Sequence, residues 1–487
     1  MESHTTKNDS QRIAIISNGH SYTYKQLLES SKEFASLLLA GSNDLHQARV
    51  AFMVEPGFDY VKVQWGIWRA GGVAVPLALS HPLPALTYTL MDAQANTIVV
   101  SETFRVLLEP LAKELNIKLI VLGDERTNAV KLPEVDRSRA AMIIYTSGTT
   151  SLPKGVLITH ANIEAQVATL VKAWQWQESD HILCVLPLHH VHGIINVVTC
   201  ALWSGACCEF LPEFSAEKLF DIFLQGRVNV FMAVPTIYFK LIACYETLPK
   251  DKQKLLTAGM KTFRLMVSGS AALPVSIMQK WEKISGHRLL ERYGMTEIGM
   301  ALSNPYAGQR RAGYVGLPLP GVEVRLVNEH CQDVVSEAGE ILVKGENVFK
   351  EYWNKPQETR EAFVDGWFRT GDLAVVEDGY YRILGRNSTD IIKSGGYKIS
   401  ALEIEEVLRS HSDVSDCAAV GLEDDEWGEV VAVALTIKQN IDIETLKQWL
   451  KEKLPAYKVP RKYKVLSELP RNTMGKVIKS EVKTLLH

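Results

Sequence analysis

Short continuous apolar runs alternate, along the first third of the chain, with segments whose apolar residues recur at helical spacing. Val50-Ala51-Phe52-Met53-Val54, Gly72-Val73-Ala74-Val75-Pro76, Thr97-Ile98-Val99-Val100 and Lys118-Leu119-Ile120-Val121 read as buried strands. Ahead of them, Thr23-Tyr24-Lys25-Gln26 has the form of a capping box. Tyr24, Leu27, Leu28, Phe34, Leu37 and Leu38 then mark one helix face, and Gly41 reads as its stop. Tyr60 to Ala70 reads as a second helix. This alternation predicts a layered α/β domain with a largely parallel sheet.

The same pattern frames a different kind of segment. Ala140-Ala141-Met142-Ile143-Ile144 and Val156-Leu157-Ile158 read as core strands, and between them lies Tyr145-Thr146-Ser147-Gly148-Thr149-Thr150-Ser151-Leu152-Pro153-Lys154-Gly155. Hydroxyls and backbone N–H groups donate, glycine lets the backbone approach, and lysine adds charge, so the loop suits a polyanion such as a triphosphate. An ordinary Ser/Thr turn is the plain alternative. The loop is not the G-x-x-x-x-G-K-[ST] phosphate loop, which occurs nowhere in the chain.

Ile163, Val167, Leu170, Val171 and Trp174 mark another helix face. Leu186-Pro187-Leu188-His189-His190-Val191-His192-Gly193 holds three histidines in an apolar run without a carboxylate at ligand spacing, which favours pocket lining over metal binding. Met266-Val267-Ser268-Gly269-Ser270-Ala271 reads as a strand ending in a small-residue turn, and Arg292-Tyr293-Gly294-Met295-Thr296-Glu297 as a polar–aromatic cluster. From Gly321 the texture turns β-rich, with Val322 to Leu326 and Glu340 to Val343 as short strands and Gly366-Trp367-Phe368-Arg369-Thr370-Gly371-Asp372-Leu373 closing a small β subdomain. Gly385-Arg386-Asn387-Ser388-Thr389-Asp390 is polar and turn-prone. It divides the chain into an N-terminal domain, 1–385, a hinge, 386–390, and a C-terminal domain, 391–487. The last part carries the loop Ser394-Gly395-Gly396, a helix at Ala401 to Arg409, strands at Asp416 to Val420 and Val430 to Ile437, and a helix at Ile443 to Leu454.

Composition narrows the class. The 487 residues exceed one ordinary core, and 46% hydrophobic with 22% charged residues is the balance of a globular enzyme. A net charge of −3 without a long basic run argues against nucleic acid as a partner. No stretch approaches the roughly 18 apolar residues of a membrane span. The first ten residues lack an apolar run, so neither a secretory signal nor an organelle presequence is expected, and a cytoplasmic protein is. Seven scattered cysteines without C-x-x-C are expected to be reduced thiols.

The loop at 145–155, the Arg292–Glu297 cluster, Gly366–Leu373 and the tail Thr473-Met474-Gly475-Lys476, in this order, resemble the acyl-adenylate-forming superfamily of acyl-CoA synthetases, luciferases and peptide-synthetase adenylation domains. The resemblance runs from Tyr22 to the end. The Leu186–Gly193 run, Val230-Phe231-Met232-Ala233-Val234-Pro235-Thr236, Glu291–Glu297 and Ser394–Lys398 are more closely similar to the malonyl-CoA and methylmalonyl-CoA synthetases. Ser151 departs from the pattern, which has glycine there. The implied fold is a large α/β adenylation domain of several subdomains with a smaller, mobile α+β C-terminal domain.

The implied reaction joins a carboxylic acid to coenzyme A at the expense of ATP, with Mg²⁺, through an acyl-AMP. The resemblance places ATP on Thr146, Ser147, Gly148, Thr149, Thr150 and Lys154, on Gly269, Ser270 and Ala271, on Arg292, Tyr293, Gly294, Met295 and Thr296, and on Asp372, Arg386 and Lys476. Glu297 and Thr149 would hold the metal. Tyr293 offers adenine a flat wall, and Asp372 offers the ribose hydroxyls two acceptors. Lys476, Glu297, Thr149 and His192 are the implied catalytic set, with Lys476 bridging the acid and the α-phosphate.

After adenylation the small domain would turn about Asn387-Ser388 and bring Ser394, Gly395 and Gly396 to the thiol. A dicarboxylate needs a cation for its second carboxylate: Arg292 first, His192 second, with Val191 and Met300 bounding the α-carbon. A structural ion pair of Arg292 with Glu291 is the competing reading. An exposed Lys476 in a flexible tail is also expected to be open to a lysine acyltransferase. The other readings are a ligase for a short-chain or aromatic monocarboxylic acid, a domain loading a carrier protein, and an inactive ligand-binding relative.

Overall fold

The computed structural model describes residues 11–123, 130–146, 152–335, 337–438, 441–472 and 475–487. Ser147, Gly148, Thr149, Thr150, Ser151, Thr473 and Met474 therefore lie outside the described residues.

A seven-stranded sheet runs in the spatial order Glu351–Tyr352, Lys154–Thr159, Ala140–Thr146, Val73–Pro76, Arg49–Met53, Thr97–Val100, Lys118–Val121. From Ala140–Thr146 onward its neighbours are parallel. Apolar runs without alternation fit this, because helices cover parallel strands on both faces. The first three strands are antiparallel, and Lys154–Thr159 returns as a hairpin from Ala140–Thr146.

A nine-stranded sheet follows the order Leu317–Pro318, Gly299–Ser303, Leu290–Met295, Leu265–Ser268, Val230–Ala233, His181–Cys184, Cys207–Phe210, Ile13–Ser17, His20–Thr23. It is parallel from Leu290–Met295 to Ile13–Ser17. The capping box forms: Thr23 N donates to Gln26 Oε1 at 2.8 Å and Gln26 N to Thr23 Oγ1 at 3.2 Å. The helix it opens, Tyr24–Leu39, ends at a left-handed Ala40, one residue before the expected glycine.

The β subdomain does not close at Leu373. The strand there spans Trp367–Glu377, and Tyr380–Arg386 pairs with it, so the sheet runs on to the boundary region. Beyond it a five-stranded sheet and three helices have cores drawn only from residues after 390. The helix Ala401–Arg409 lies where expected. The strand near 416 extends over Val414–Asp424, and the next helix stops at Lys451 rather than Leu454.

The small domain sits on the large one through specific contacts. Val275 N, at the start of the helix Val275–Ser285, donates to Glu406 Oε1 at 2.9 Å. Lys398 pairs with Glu329 at 2.6 Å. A Cβ on Gly475, which has φ +75°, would stand 2.9 Å from Thr236 Oγ1, so Gly475 lies directly against the large domain. The cysteines are free thiols. No helix among the described residues is long and apolar enough to cross a membrane.

Candidate active site

The strand Leu290–Met295 distributes neighbouring side chains to separate polar clusters. Glu291 turns beneath the loop after Leu265–Ser268, where its Oε1 accepts from Leu273 N at 3.1 Å. Burial pushes its carboxyl up to about 8. No ion pair joins it to Arg292: adjacent strand residues project to opposite faces, and Arg292 has no carboxylate within ion-pair distance among the described residues.

Arg292 is 3% exposed. Its Nη2 donates to Ser270 Oγ at 3.3 Å, and Ser270 Oγ lies 3.1 Å from His192 Nδ1. Since the Ser270 oxygen accepts from arginine, its proton is free to go to Nδ1. That leaves the His192 proton on Nε2. Burial and the facing Arg292 hold His192 neutral, far below the usual histidine range, so it serves as a hydrogen-bonding group rather than as the second cation expected. Burial also lowers Arg292, to about 9. Arg292 Nε and His192 Nε2 are both buried without a partner among the described residues.

Gly269 is part of this cluster. A Cβ there would fall 2.5 Å from Arg292 Cζ, so the glycine makes room for the guanidinium. The resemblance assigned it to ATP; its close approach to Arg292 depends on a strand distant in sequence and was not foreseen. His189 packs, with tilted rings, between His190 and His81, and burial holds His189 and His190 neutral. Among the described residues no cluster of histidine, cysteine and acid could hold a metal ion. Val191 is 8% exposed, and Met300 lies across the hairpin from Gly294, its N–H donating to Gln166 Oε1 at 2.5 Å.

The next residue reaches a second cluster. Tyr293 OH donates to Asp372 Oδ2 at 2.6 Å, and Arg386 Nε donates to Asp372 Oδ1 at 3.1 Å. Asp372 is placed by the strand Trp367–Glu377, and Arg386 lies opposite it in register. Arg386 N donates to Asp390 Oδ2 at 3.0 Å, which ties this cluster to the boundary turn. Both acceptor oxygens that a ribose would use are engaged within the protein.

A third group forms where the two large sheets meet. Glu297 is 5% exposed, and its Oε1 accepts from Tyr352 OH at 3.0 Å. Burial raises this carboxyl despite the phenol donor. Lys154 Nζ stands over the Tyr352 ring, 5.0 Å from its centroid. Thr146 faces Lys154 at the mouth of the hairpin. Lys476 is exposed, with its N–H bonded to Asn472 Oδ1 at 2.9 Å. Ser394 and Gly395 bond within their own domain, Ser394 pairing with Tyr397 and Gly428 and Gly395 N donating to Trp427 O at 2.9 Å. Two residues that carry contacts here, Tyr352 and Gln166, belong to no motif singled out from the sequence.

A buried carboxylate beside a lysine-tipped loop, a second carboxylate beside an aromatic, and a lysine on a docked tail are the parts of a site that handles nucleotides and acids. The chain belongs to the AMP-binding enzyme family: the family's main part matches residues 2–353 and its C-terminal domain residues 403–476. It is 45% identical to the human mitochondrial malonate–CoA ligase over 511 aligned positions, covering 96% of this chain and 89% of the relative. It is 41% identical to a malonate–CoA ligase of Arabidopsis thaliana, covering 98% and 87%. Among solved structures, ATP-bound MatB from Rhodopseudomonas palustris is similar at a TM-score of 0.90 and 32% identity, over 98% of this chain and 96% of that one. The apo form of MatB gives 0.82.

Proposed function

We propose that this chain is a malonate–CoA ligase that makes malonyl-CoA from malonate, ATP and coenzyme A through malonyl-AMP. The family supplies the reaction class, and the malonate–CoA ligases named above support the substrate. The observation that carries the acid is the open cluster at Arg292. A buried guanidinium without a counter-ion costs several kcal/mol. Its free Nε–H and the free Nε2–H of His192 are two donors, and one of them carries charge. A substrate with a second carboxylate completes the cluster, whereas a monocarboxylate leaves it unpaired.

In the first step one malonate carboxylate oxygen attacks the α-phosphorus of ATP, the new O–P bond forms, and the bond to the β-phosphate oxygen breaks to release pyrophosphate. Lys154 and the loop before it would bind the β- and γ-phosphates, and Lys476 would bridge the attacking carboxylate and the α-phosphate. Glu297, buried and in no salt bridge among the described residues, would serve as a magnesium ligand together with Thr149. The metal would neutralise charge on the triphosphate. Tyr293, Asp372 and Arg386 would receive the nucleoside. In the second step the thiol sulfur of coenzyme A attacks the acyl carbonyl, the C–O bond to AMP breaks, and the thiol proton leaves to solvent.

We place the boundary at 386–390, between 1–385 and 391–487, with the pivot at Asn387-Ser388 and the thiol path along Ser394, Gly395 and Gly396. The separate core beyond residue 390 supports the division. The higher similarity to ATP-bound than to apo MatB supports reading this arrangement as the adenylating one. The cytoplasmic placement is likewise our proposal, set against animal relatives named as mitochondrial; subcellular fractionation decides it.

Acid-dependent pyrophosphate release, screened over malonate, methylmalonate, acetate and benzoate, tests the function. Malonate is expected to lead, with acetate at least about a hundredfold lower in kcat/KM, the scale set by leaving buried polar groups unpaired. Equal rates with acetate or benzoate would refute the dicarboxylate reading. Failure with free coenzyme A would leave a carrier-loading domain.

A further inference from the structure

Tyr352 lies on a two-residue strand, yet the backbone around it is fastened on both sides. Phe349 N donates to Glu297 O at 2.7 Å, Lys350 N to Leu157 O at 3.2 Å, and Trp353 N to Gly155 O at 2.7 Å. Tyr352 N itself donates to Thr359 Oγ1 at 3.0 Å. The segment thus spans from Glu297, two residues past Leu290–Met295 of one large sheet, to the hairpin strand of the other. The side chain repeats that bridge. Its hydroxyl donates to Glu297 Oε1 at 3.0 Å, and its ring carries Lys154 Nζ 5.0 Å above the centroid. Phe349 packs edge-on against the ring, centroids 4.8 Å apart, which limits its rotation. Burial and the adjacent Glu297 raise the phenol, so it stays a donor to the carboxylate.

A carboxylate that ligates a metal must present a defined oxygen, and a cation that meets a phosphate must be held near it. A single side chain in contact with both can do the two tasks at once. Outer partners of this kind orient metal ligands and cost about ten- to a hundredfold in metal affinity when removed. A cation over an aromatic face is held without losing its hydrogen-bond donors.

We propose that Tyr352 is a positioning residue for the ATP end of the site: its hydroxyl occupies one Glu297 oxygen and leaves the other for magnesium, while its ring seats the Lys154 ammonium so that both groups meet one triphosphate. The proposal rests on the reading of Glu297 and Lys154 given above. It assigns Tyr352 no contact with the acid or the thiol.

Calorimetric titration of ATP, once with Mg²⁺ and once with EDTA, tests it in the wild type, Tyr352→Phe, Tyr352→Leu and Glu297→Gln. Tyr352→Phe keeps the ring and removes only the donor. Its ATP affinity should fall about tenfold with Mg²⁺ and less than about twofold in EDTA. Its melting temperature should match the wild type, and a magnesium-selective loss in a protein that melts normally is not what a purely structural residue produces. Tyr352→Leu removes the lysine's seat as well and should lose affinity in both conditions. Equal losses with and without Mg²⁺ in Tyr352→Phe, or none, would overturn the proposal. Unchanged Mg·ATP affinity in Glu297→Gln would instead overturn the reading of Glu297 beneath it.

Discussion

Two polar clusters share one strand and differ in a single respect. At Tyr293, Asp372 and Arg386 every carboxylate oxygen is met by a donor of the protein. At His192, Ser270 and Arg292 the groups meet one another only partly, and two buried nitrogens have no partner among the described residues. A cluster complete in itself is pre-organised and asks for no particular ligand charge. An incomplete one with a cation in it specifies what must arrive. On the function proposed above, the choice of acid would lie in what the protein leaves unpaired, while the end proposed for the nucleotide stands ready.

The largest effect is expected where the two ends have to be joined. If Lys476 holds the transferring phosphoryl group as proposed, Lys476→Ala should lower adenylate formation about a thousandfold or more and leave thioester formation from supplied malonyl-AMP within a few-fold. Single-turnover assays of each half-reaction check this; equal losses in both would mean that Lys476 does not divide the reaction. Next comes the closed cluster. Tyr293→Phe removes one donor from Asp372, and the KM for ATP should rise about five- to tenfold with kcat nearly unchanged, the cost of one hydrogen bond to a charged group. An effect on the KM for malonate instead would show that the two clusters are not separate.

A third prediction concerns Glu291, the buried neighbour of Arg292 on the same strand, and is read in stability rather than rate. Its carboxyl titrates near 8 in the folded protein, against an ordinary value of 4.5. The folded state therefore keeps a proton that the unfolded state releases across that window. Stability should fall as pH rises from about 5 to 8, with a slope of at most about 1.4 kcal/mol per pH unit from this group. Glu291→Gln should flatten that part of the curve in denaturant titrations. An unchanged slope would place the titrating group elsewhere.

Much of the fold was legible from the sequence for a physical reason: strands covered on both faces need unbroken apolar runs, and these are local in the chain. What was not legible depends on partners distant in sequence. Trp367–Glu377 and Val414–Asp424 outgrow their apolar pattern because antiparallel neighbours, Tyr380–Arg386 and Gly428–Ile437, pair along them. Gly269 reads as a turn glycine until Arg292 is seen against it. Tyr352 sits in an unremarkable Glu-Tyr-Trp stretch, and only the sheet edge brings it to Lys154 and Glu297. The competing ion pair between Glu291 and Arg292 falls to strand alternation, which adjacency in sequence conceals.

Arg292 is proposed to be left unpaired for the second carboxylate of the acid. The most direct measurement is the ratio of kcat/KM for malonate to that for acetate, read by pyrophosphate release in the wild type and in Arg292→Met. The account predicts a ratio above about a hundred that collapses to within a few-fold of unity, through loss of the malonate rate with the acetate rate largely kept. A ratio that survives the substitution, or one that is near unity in the wild type, would contradict it.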